Sequence, residues 1–331
     1  MSQRFVRIGG WGKYLPKRVM PNAELAELVD TSDEWIRART GIRERRIAAP
    51  DETTCTLAVH SARQALERAQ LGPEELDLII VATCTPDYSN MPATASLVQH
   101  ALGASRAGAF DLNAVCSGFL YGLATGSQFI VSGAYRSVLV IGAEVFTRIL
   151  DWQDRSTCVL FGDGAGAVVL QPSEQPGGLL SFVLGSDGAG ACSLYVPAGG
   201  SRQPTSAETV AQREHYVKMQ GRDVFRFATR VLPDSVLQAL QAANLTTDDI
   251  DLLIPHQANT RIIDAAVRRL KLSESAVFAN VERYGNTSAA SIPVALCEAV
   301  EEGLVQPGTT LVMSGFGAGL SWGSAVWKWQ G

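Results

Sequence analysis

Cys116, His256 and Asn286 are the residues of this chain whose types and settings best suit chemistry. Cys116 lies in DLNAVCSGF, an apolar run that turns into a Gly- and Ser-rich helical stretch. His256 lies in DLLIPHQAN, at the C-terminal end of a strand-like run, and Asn286 in RYGNTSAAS, at a turn opening a small-residue helix. Thiolate is the reactive form of cysteine, and a helix N-terminus favours an anion through its unpaired N–H groups and dipole. Cys116 precedes SGFLYGLATGSQFIV and falls in such a field. Cys84 has no comparable helix start; Cys158 and Cys297 sit in apolar periodic stretches, Cys55 within a helix start and Cys192 in a loop. Taken singly, a buried cysteine is usually a packing residue, a strand-end histidine a satisfied polar group, and a turn asparagine a cap. Together the three make an acyl-transfer set working through a covalent thioester.

The elements that must position them come in two similar series. SARQALERAQLGPEELDLIIV from Ser61 matches SVLQALQAANLTTDDIDLLIP from Ser235 without a gap, an offset of 174 residues. Each segment reads as an amphipathic helix, an acidic turn and an apolar strand. SVLVIGAE from Ser137 resembles TTLVMSGF from Thr309, an offset of 172. Between the paired strands each half carries a small-residue helix, with Gly118, Gly122 and Gly126 in one and Ser288, Ala289, Ala290 and Ser291 in the other; these stripes read as close packing. The join falls in QPSEQPGG, Gln171 to Gly178, so the halves are residues 1–174 and 175–331. Alternating helices and strands in two copies imply a duplicated α/β architecture, with Cys116 from the first half and His256 and Asn286 from the second.

With 331 residues, 46% hydrophobic and 18% charged, the chain has ample core for such a fold. A net charge of −5 argues against nucleic acid as a general partner. The N-terminal MSQRFVRIGGWG lacks a secretory signal, and the uncharged stretch Leu112 to Tyr135 reads as a buried helix rather than a membrane span. A cytoplasmic protein with free thiols is expected, without membrane association. The six cysteines and four histidines form no zinc-like pattern. GDGAG (162–166) and GFGAG (315–319) lack the GxGxxG and distal acid of a dinucleotide site, so no nicotinamide cofactor is expected.

At these motifs the chain resembles the β-ketoacyl-acyl-carrier-protein synthase III family of the thiolase superfamily. The resemblance runs nearly end to end through TSDEWIRARTGIRERR, DLNAVCSGF, FGDGAGAVVL, LYVPAGGSR, IPHQANTRII, YGNTSAASIP and GFGAGLSWGS. It implies a thiolase-like α/β fold, two pseudo-repeated βαβαβ halves forming a five-layered αβαβα core. It also implies a decarboxylative Claisen condensation that initiates fatty-acid synthesis. Cys116 would take an acyl group from acyl-CoA, acetyl-CoA first among primers. His256 and Asn286 would stabilise the enolate formed when malonyl-acyl-carrier-protein loses CO2. The backbone N–H groups of Cys116 and Ala318 would form the oxyanion hole for the acyl step. By the same resemblance Trp35, Arg39 and Arg155 meet the CoA adenine, and Gly221, Phe225 and Asn259 meet CoA or its pantetheine arm. Arg226, Arg261, Arg268 and Arg269 would dock the acidic carrier protein; Arg261 and Arg268, seven residues apart on one helix, share a face. Met91 falls where the family's partner subunit caps the acyl pocket, which implies a homodimer. No metal or redox cofactor is implied.

Three other readings compete. A papain-like Cys–His–Asn hydrolase uses the same residues in the same order but carries a CGSCW-type setting and disulfides, which this chain lacks. A non-catalytic chain-length factor of the same fold would have lost the nucleophile. A synthase of specialised metabolism with longer or branched primers differs mainly in its pocket, where flexible Met91 does not decide.

Overall fold

The computed structural model describes residues 4–330. Its centre is two sheets. The first has the order β1-β7-β6-β4-β5, built from β1 (Phe5–Tyr14), β4 (Leu78–Ala82), β5 (Gly108–Leu112), β6 (Val138–Glu144) and β7 (Gly164–Ser173). The second has the order β11-β12-β13-β8, from β8 (Gly178–Ser186), β11 (Leu252–Pro255), β12 (Thr310–Gly317) and β13 (Ser321–Lys328). Strands β4 and β6 are parallel and buried along their whole length, which is why LIIVA and VLVIGAE read as continuous rather than alternating apolar runs.

Helices α5 (Gly118–Val131) and α11 (Ser291–Glu301) lie between the sheets, in a core shared by residues of both such as Val140, Phe119, Ile292 and Met313. Helices α3 (Thr54–Ala69) and α4 (Thr94–Leu102) cover the outer face of the first sheet; α8 (Gly221–Ala242) and α9 (Thr260–Leu270) cover that of the second. The result is the expected five-layered arrangement. The uncharged stretch around α5 is core, and no helix among the described residues is long and apolar enough to cross a membrane.

Small pieces fringe this core. The ribbon β2 (Arg18–Pro21)–β3 (Glu44–Ile47) with α1 (Asn22–Leu28) and α2 (Asp33–Thr40) packs against α9 and the short helices α6 (Arg155–Cys158) and α10 (Val281–Tyr284). The ribbon β9 (Leu194–Tyr195)–β10 (Lys218–Met219) and α7 (Ala207–Ala211) form the other fringe.

The sequence echo is carried into space. Strands β1 and β8 start 173 residues apart, β4 and β11 174, β6 and β12 172, and α5 and α11 173. The sheet orders correspond strand for strand, with β5 alone lacking a full counterpart; Val277 makes an isolated bridge beside β11 instead.

Close approach of the layers depends on missing side chains. Gly122 and Gly126 of α5 face Val140, Ile80, Val138 and Leu170, where a Cβ would sit at 2.9–3.6 Å, so the glycine stripe is a packing device as its spacing suggests. Gly142 of β6 is tighter: a Cβ there would lie 2.2 Å from the Ala289 carbonyl oxygen. Gly142→Ala should therefore push the halves apart and cost about 1–3 kcal/mol, seen as a lowered midpoint in denaturant unfolding; unchanged stability would refute so rigid a contact.

Candidate active site

Cys116 sits in a single 3-10 turn, Val115–Ser117, between the end of β5 and the start of α5. Val115 holds φ at +48°, a strained value for a β-branched residue. Its N–H donates to the Asn113 side-chain oxygen at 3.2 Å, an Asx turn that fixes the strained residue before the nucleophile. The second half repeats this device. Ser288 lies 173 residues further on at φ +49°, and its N–H donates to Asn286 Oδ1 at 2.8 Å. The two turns touch, and the β12–β13 hairpin closes over them: Gly317 passes so near Cys116 that a Cβ would lie 2.7 Å from the Cys116 nitrogen. Ser321 ties the hairpin down by donating to the Ala114 carbonyl at 3.0 Å.

His256 follows β11 and is 1% exposed. Its N–H donates to the Ser314 carbonyl at 2.7 Å, and Nδ1 lies 2.6 Å from Ser291 Oγ. That hydroxyl also accepts from the Gln257 N–H at 3.4 Å; we assign its own proton to Nδ1, which places the ring proton on Nε2. Burial pushes the imidazole down to about 3, leaving it neutral. Asn286 is oriented the same way. Its Oδ1 is taken by Ser288 N–H, which leaves the amide Nδ2 as a free donor. Backbone bonds to Leu160 and Gly162 hold the residue in place.

These groups line one cavity of about 450 Å³. Cys116, His256 and Asn286 share it with Trp35, Arg39, Arg155, Gly221, Phe225, Asn259 and Arg261. The Arg39 and Arg155 guanidiniums lie 5.0 and 4.9 Å from the Trp35 ring centre, forming a flat cationic–aromatic surface. Asn259 caps α9, accepting from Arg261 N–H at 2.9 Å, while its amide donates to the Arg39 carbonyl at 3.1 Å; both ends of the side chain are engaged in joining α9 to α2.

One expectation needs correction. The thiol of Cys116 is not activated at rest: burial pushes it up to about 12, against a lowering by Ser288, and Glu144 raises it further. Desolvation outweighs the field of the helix start. Gly317 borders the cavity, and Ala318 follows it with its side chain packed against the cluster of Phe146 and Phe161. Arg261 and Arg268 do share a groove with Phe225 and Asp264. Arg269 instead turns to Asp234 on α8, and Arg226 pairs with Asp223 at 2.7 Å. Met91 is 80% exposed and is not among the residues lining this cavity in its own chain.

Three residues of consequence escaped the sequence reading. Ser291 sets the histidine tautomer. Glu144, fully buried at the end of β6, accepts from Thr83, Cys84, Thr85 and Ser288 beside Cys116. Its one signal was a lone charge closing an apolar strand. Arg45 is also fully buried and pairs with no carboxylate: it donates to the carbonyls of Met20 and Val159 and to Asn22, which in turn holds Asp33 at the start of α2. It thereby connects the helix bearing Trp35 to the segment that flanks Asn286.

A duplicated α/β core with a buried thiol, imidazole and amide at the junction of its halves defines a thiolase-like enzyme. Two family models match the chain: 3-oxoacyl-[acyl-carrier-protein] synthase III over residues 110–188 and the C-terminal part of the same family over residues 240–329. A β-ketoacyl-[acyl-carrier-protein] synthase III of Symbiobacterium thermophilum is 57% identical over 99% of both chains. The structure of the same enzyme from Thermus thermophilus superposes with a TM-score of 0.91 at 46% identity, over 98% of this chain and 99% of that one. The priming β-ketosynthase of the R1128 polyketide pathway also reaches 0.91, at 40% identity, over 99% of this chain and 97% of that one. This chain belongs to the β-ketoacyl-acyl-carrier-protein synthase III family, and its members are acyltransferases.

The depressed imidazole makes a direct prediction. In a pH titration by side-chain NMR, His256 should keep its Nε2–H tautomer and show no titration between about pH 5 and 8, where an ordinary histidine changes charge. The unfolded chain binds a proton there below about 6.5, which the folded chain refuses until about 3. His256 thus lowers folding stability as pH falls across that window. A normal midpoint would contradict the burial account.

Proposed function

We propose that this enzyme condenses an acyl-CoA primer, acetyl-CoA in the first instance, with malonyl-acyl-carrier-protein to give 3-oxoacyl-carrier protein, CO2 and CoA, and so initiates fatty-acid synthesis. The observation that carries this reading is the orientation of two neutral donors, His256 Nε2–H and Asn286 Nδ2–H, in the cavity that holds the Cys116 thiol. Cys116 attacks the primer thioester and releases CoA. Malonyl-carrier protein then enters by the same route. Loss of CO2 leaves negative charge on the malonyl thioester oxygen, which the two donors stabilise by about 3–4 kcal/mol each. The enolate carbon attacks the Cys116 thioester, whose carbon–sulfur bond breaks to free the Cys116 thiolate, which then takes up a proton. The electrons for the new C–C bond come from the broken C–C bond, so the chemistry calls for no metal or redox cofactor.

The first acyl step needs its own donors, and the N–H groups of Cys116 and Ala318 serve there, with Gly317 allowing the hairpin to come close enough. The Trp35–Arg39–Arg155 surface suits an adenine and its phosphates, and Gly221, Phe225 and Asn259 lie along the way in. Arg261 and Arg268 form the start of a basic face for the acidic carrier protein; Arg226 and Arg269 join it when their ion pairs, on a solvated surface, exchange partners. A homodimer completes the assembly. Strand β5 ends the first sheet with one edge unpaired, and Tyr88, Met91 and Phe110 near that edge are exposed, so a second copy covers them and brings its Met91 to the acyl pocket. Substrates of this kind place the enzyme in the cytoplasm.

The R1128 relative keeps one further reading in play, a priming synthase for a specialised product, which differs in primer and not in mechanism. A hydrolase reading loses ground on geometry: a histidine that keeps its proton on the ring nitrogen facing the cavity is a donor and cannot take the proton of the thiol.

Cys116→Ala should abolish acyl transfer yet leave decarboxylation of malonyl-carrier protein. His256→Ala and Asn286→Ala should still acylate Cys116 and lose about 10²–10³-fold in decarboxylation; condensation at wild-type rate by either would refute the roles. Intact-protein mass spectrometry after mixing with a panel of acyl-CoAs decides the primer. An adduct from acetyl-CoA, absent in Cys116→Ser, supports the initiating role, whereas preference for long or branched chains supports the specialised one.

A further inference from the structure

The site as described leaves one proton without a destination. Cys116 rests as a thiol and must lose its proton to attack, and with the His256 ring proton assigned to Nε2 neither ring nitrogen is open to receive it. The buried carboxylate of Glu144 is near enough to act on the thiol and has no part in the chemistry so far.

Its hydrogen bonds fix where a proton can go. Thr85 Oγ1 accepts from Val145 N–H at 3.0 Å, and Thr83 Oγ1 accepts from Thr85 N–H at 3.0 Å. Both hydroxyls therefore donate to Glu144 Oε2, at 2.5 and 3.1 Å. Oε1 receives the Cys84 N–H at 3.2 Å, the Cys84 thiol at 3.3 Å and the Ser288 hydroxyl at 3.0 Å. Among these donors the Ser288 hydroxyl also meets the Cys116 thiol, whose anion it favours, and it lies 3.8 Å from the Cys84 sulfur as well. The left-handed backbone of Ser288 is what aims the hydroxyl there while its N–H holds Asn286.

We infer that Ser288 and Glu144 form the proton relay that deprotonates Cys116 in the acylation step. The inference rests on Cys116 being the nucleophile. The thiol proton passes to Ser288 Oγ as the Ser288 proton passes to Glu144 Oε1. The freed sulfur pair forms the bond to the acyl carbon. The carbon–sulfur bond to CoA then breaks, and the leaving CoA thiolate recovers the proton through Ser288, restoring the carboxylate. Ser288 lies beside the reacting thiol, and Glu144 acts through it. Burial raises the proton affinity of Glu144, which suits it to accept a proton from a thiol. The titratable groups facing it are the Cys84 and Cys116 thiols, from the β4 loop and the nucleophile turn; Ser288 faces it from the second turn, and no cation is among the groups that shift it.

The test is the pH dependence of Cys116 acylation by acetyl-CoA, followed by rapid quench and intact mass, with malonyl-carrier-protein decarboxylation measured on the same samples. In the wild type, acylation should fall on the acid side as Glu144 takes a solvent proton and stops accepting one from Ser288. Glu144→Gln should slow acylation by about 10²-fold near neutrality and replace that limb with a rate first order in hydroxide. Ser288→Ala, which keeps the backbone N–H to Asn286, should show the same profile, and Glu144→Asp should restore part of the limb. In each variant acylation should suffer far more than decarboxylation. The relay is overturned if either variant keeps the wild-type profile, or if both steps fall equally, as for a purely structural role. A wild type that forms no Cys116 adduct would sink the nucleophile assignment itself, and the relay with it.

Discussion

The abutment of two turns, Val115–Ser117 and Ser288–Ala290, is the constraint on which the rest of this structure depends. They meet between the sheets because Gly142 leaves room for the Ala289 carbonyl and Gly118 sits 3.8 Å, at its Cβ position, from the Ala289 side chain. Any larger residue at that seam would separate Cys116 from Asn286. The small-residue helices behind the turns, the buried parallel strands under them and the Gly317 hairpin above them all serve that approach.

The seam also determines the electrostatics. Two packed sheets exclude water from the centre, so every titratable group there moves towards its neutral form: the imidazole down, the thiol up, the Glu144 carboxyl up. A neutral histidine is the better hydrogen-bond donor for a reaction with no net proton transfer at that ring, whereas a neutral thiol is a poorer nucleophile. Burial thus favours the condensation half of the chemistry and burdens the acylation half, and fixed side-chain donors and acceptors must offset the difference.

Much of this was legible in the sequence because it is written locally. Repeated helix–turn–strand segments announce duplication, continuous apolar runs announce buried parallel strands, and glycines four apart announce a packed helix. Cys116, His256 and Asn286 stood out as chemical residue types at element ends. What escaped was written across the fold. Glu144, Ser288 and Ser291 matter through partners that lie 35 to 144 residues away in the chain, and Arg45 through a carbonyl 114 residues away. The state of the Cys116 thiol depends on how completely the second sheet covers it, which no local motif records. Ion pairs such as Arg269–Asp234 join two helices whose mutual register only packing determines.

The matching Asx turns bear on ancestry. Asn113 stands to Val115 as Asn286 stands to Ser288, the same side-chain oxygen receiving the same N–H one repeat apart, and Cys116 corresponds to Ala289. In a half-length ancestor pairing with itself about a twofold axis, the two turns would have been one sequence, bound to carry the same residues on both sides. Fusion into a single chain removed that obligation. The two copies now differ where they meet, a sulfur at Cys116 and a methyl at Ala289, so that an active centre with two unlike sides stands on a near-symmetric scaffold.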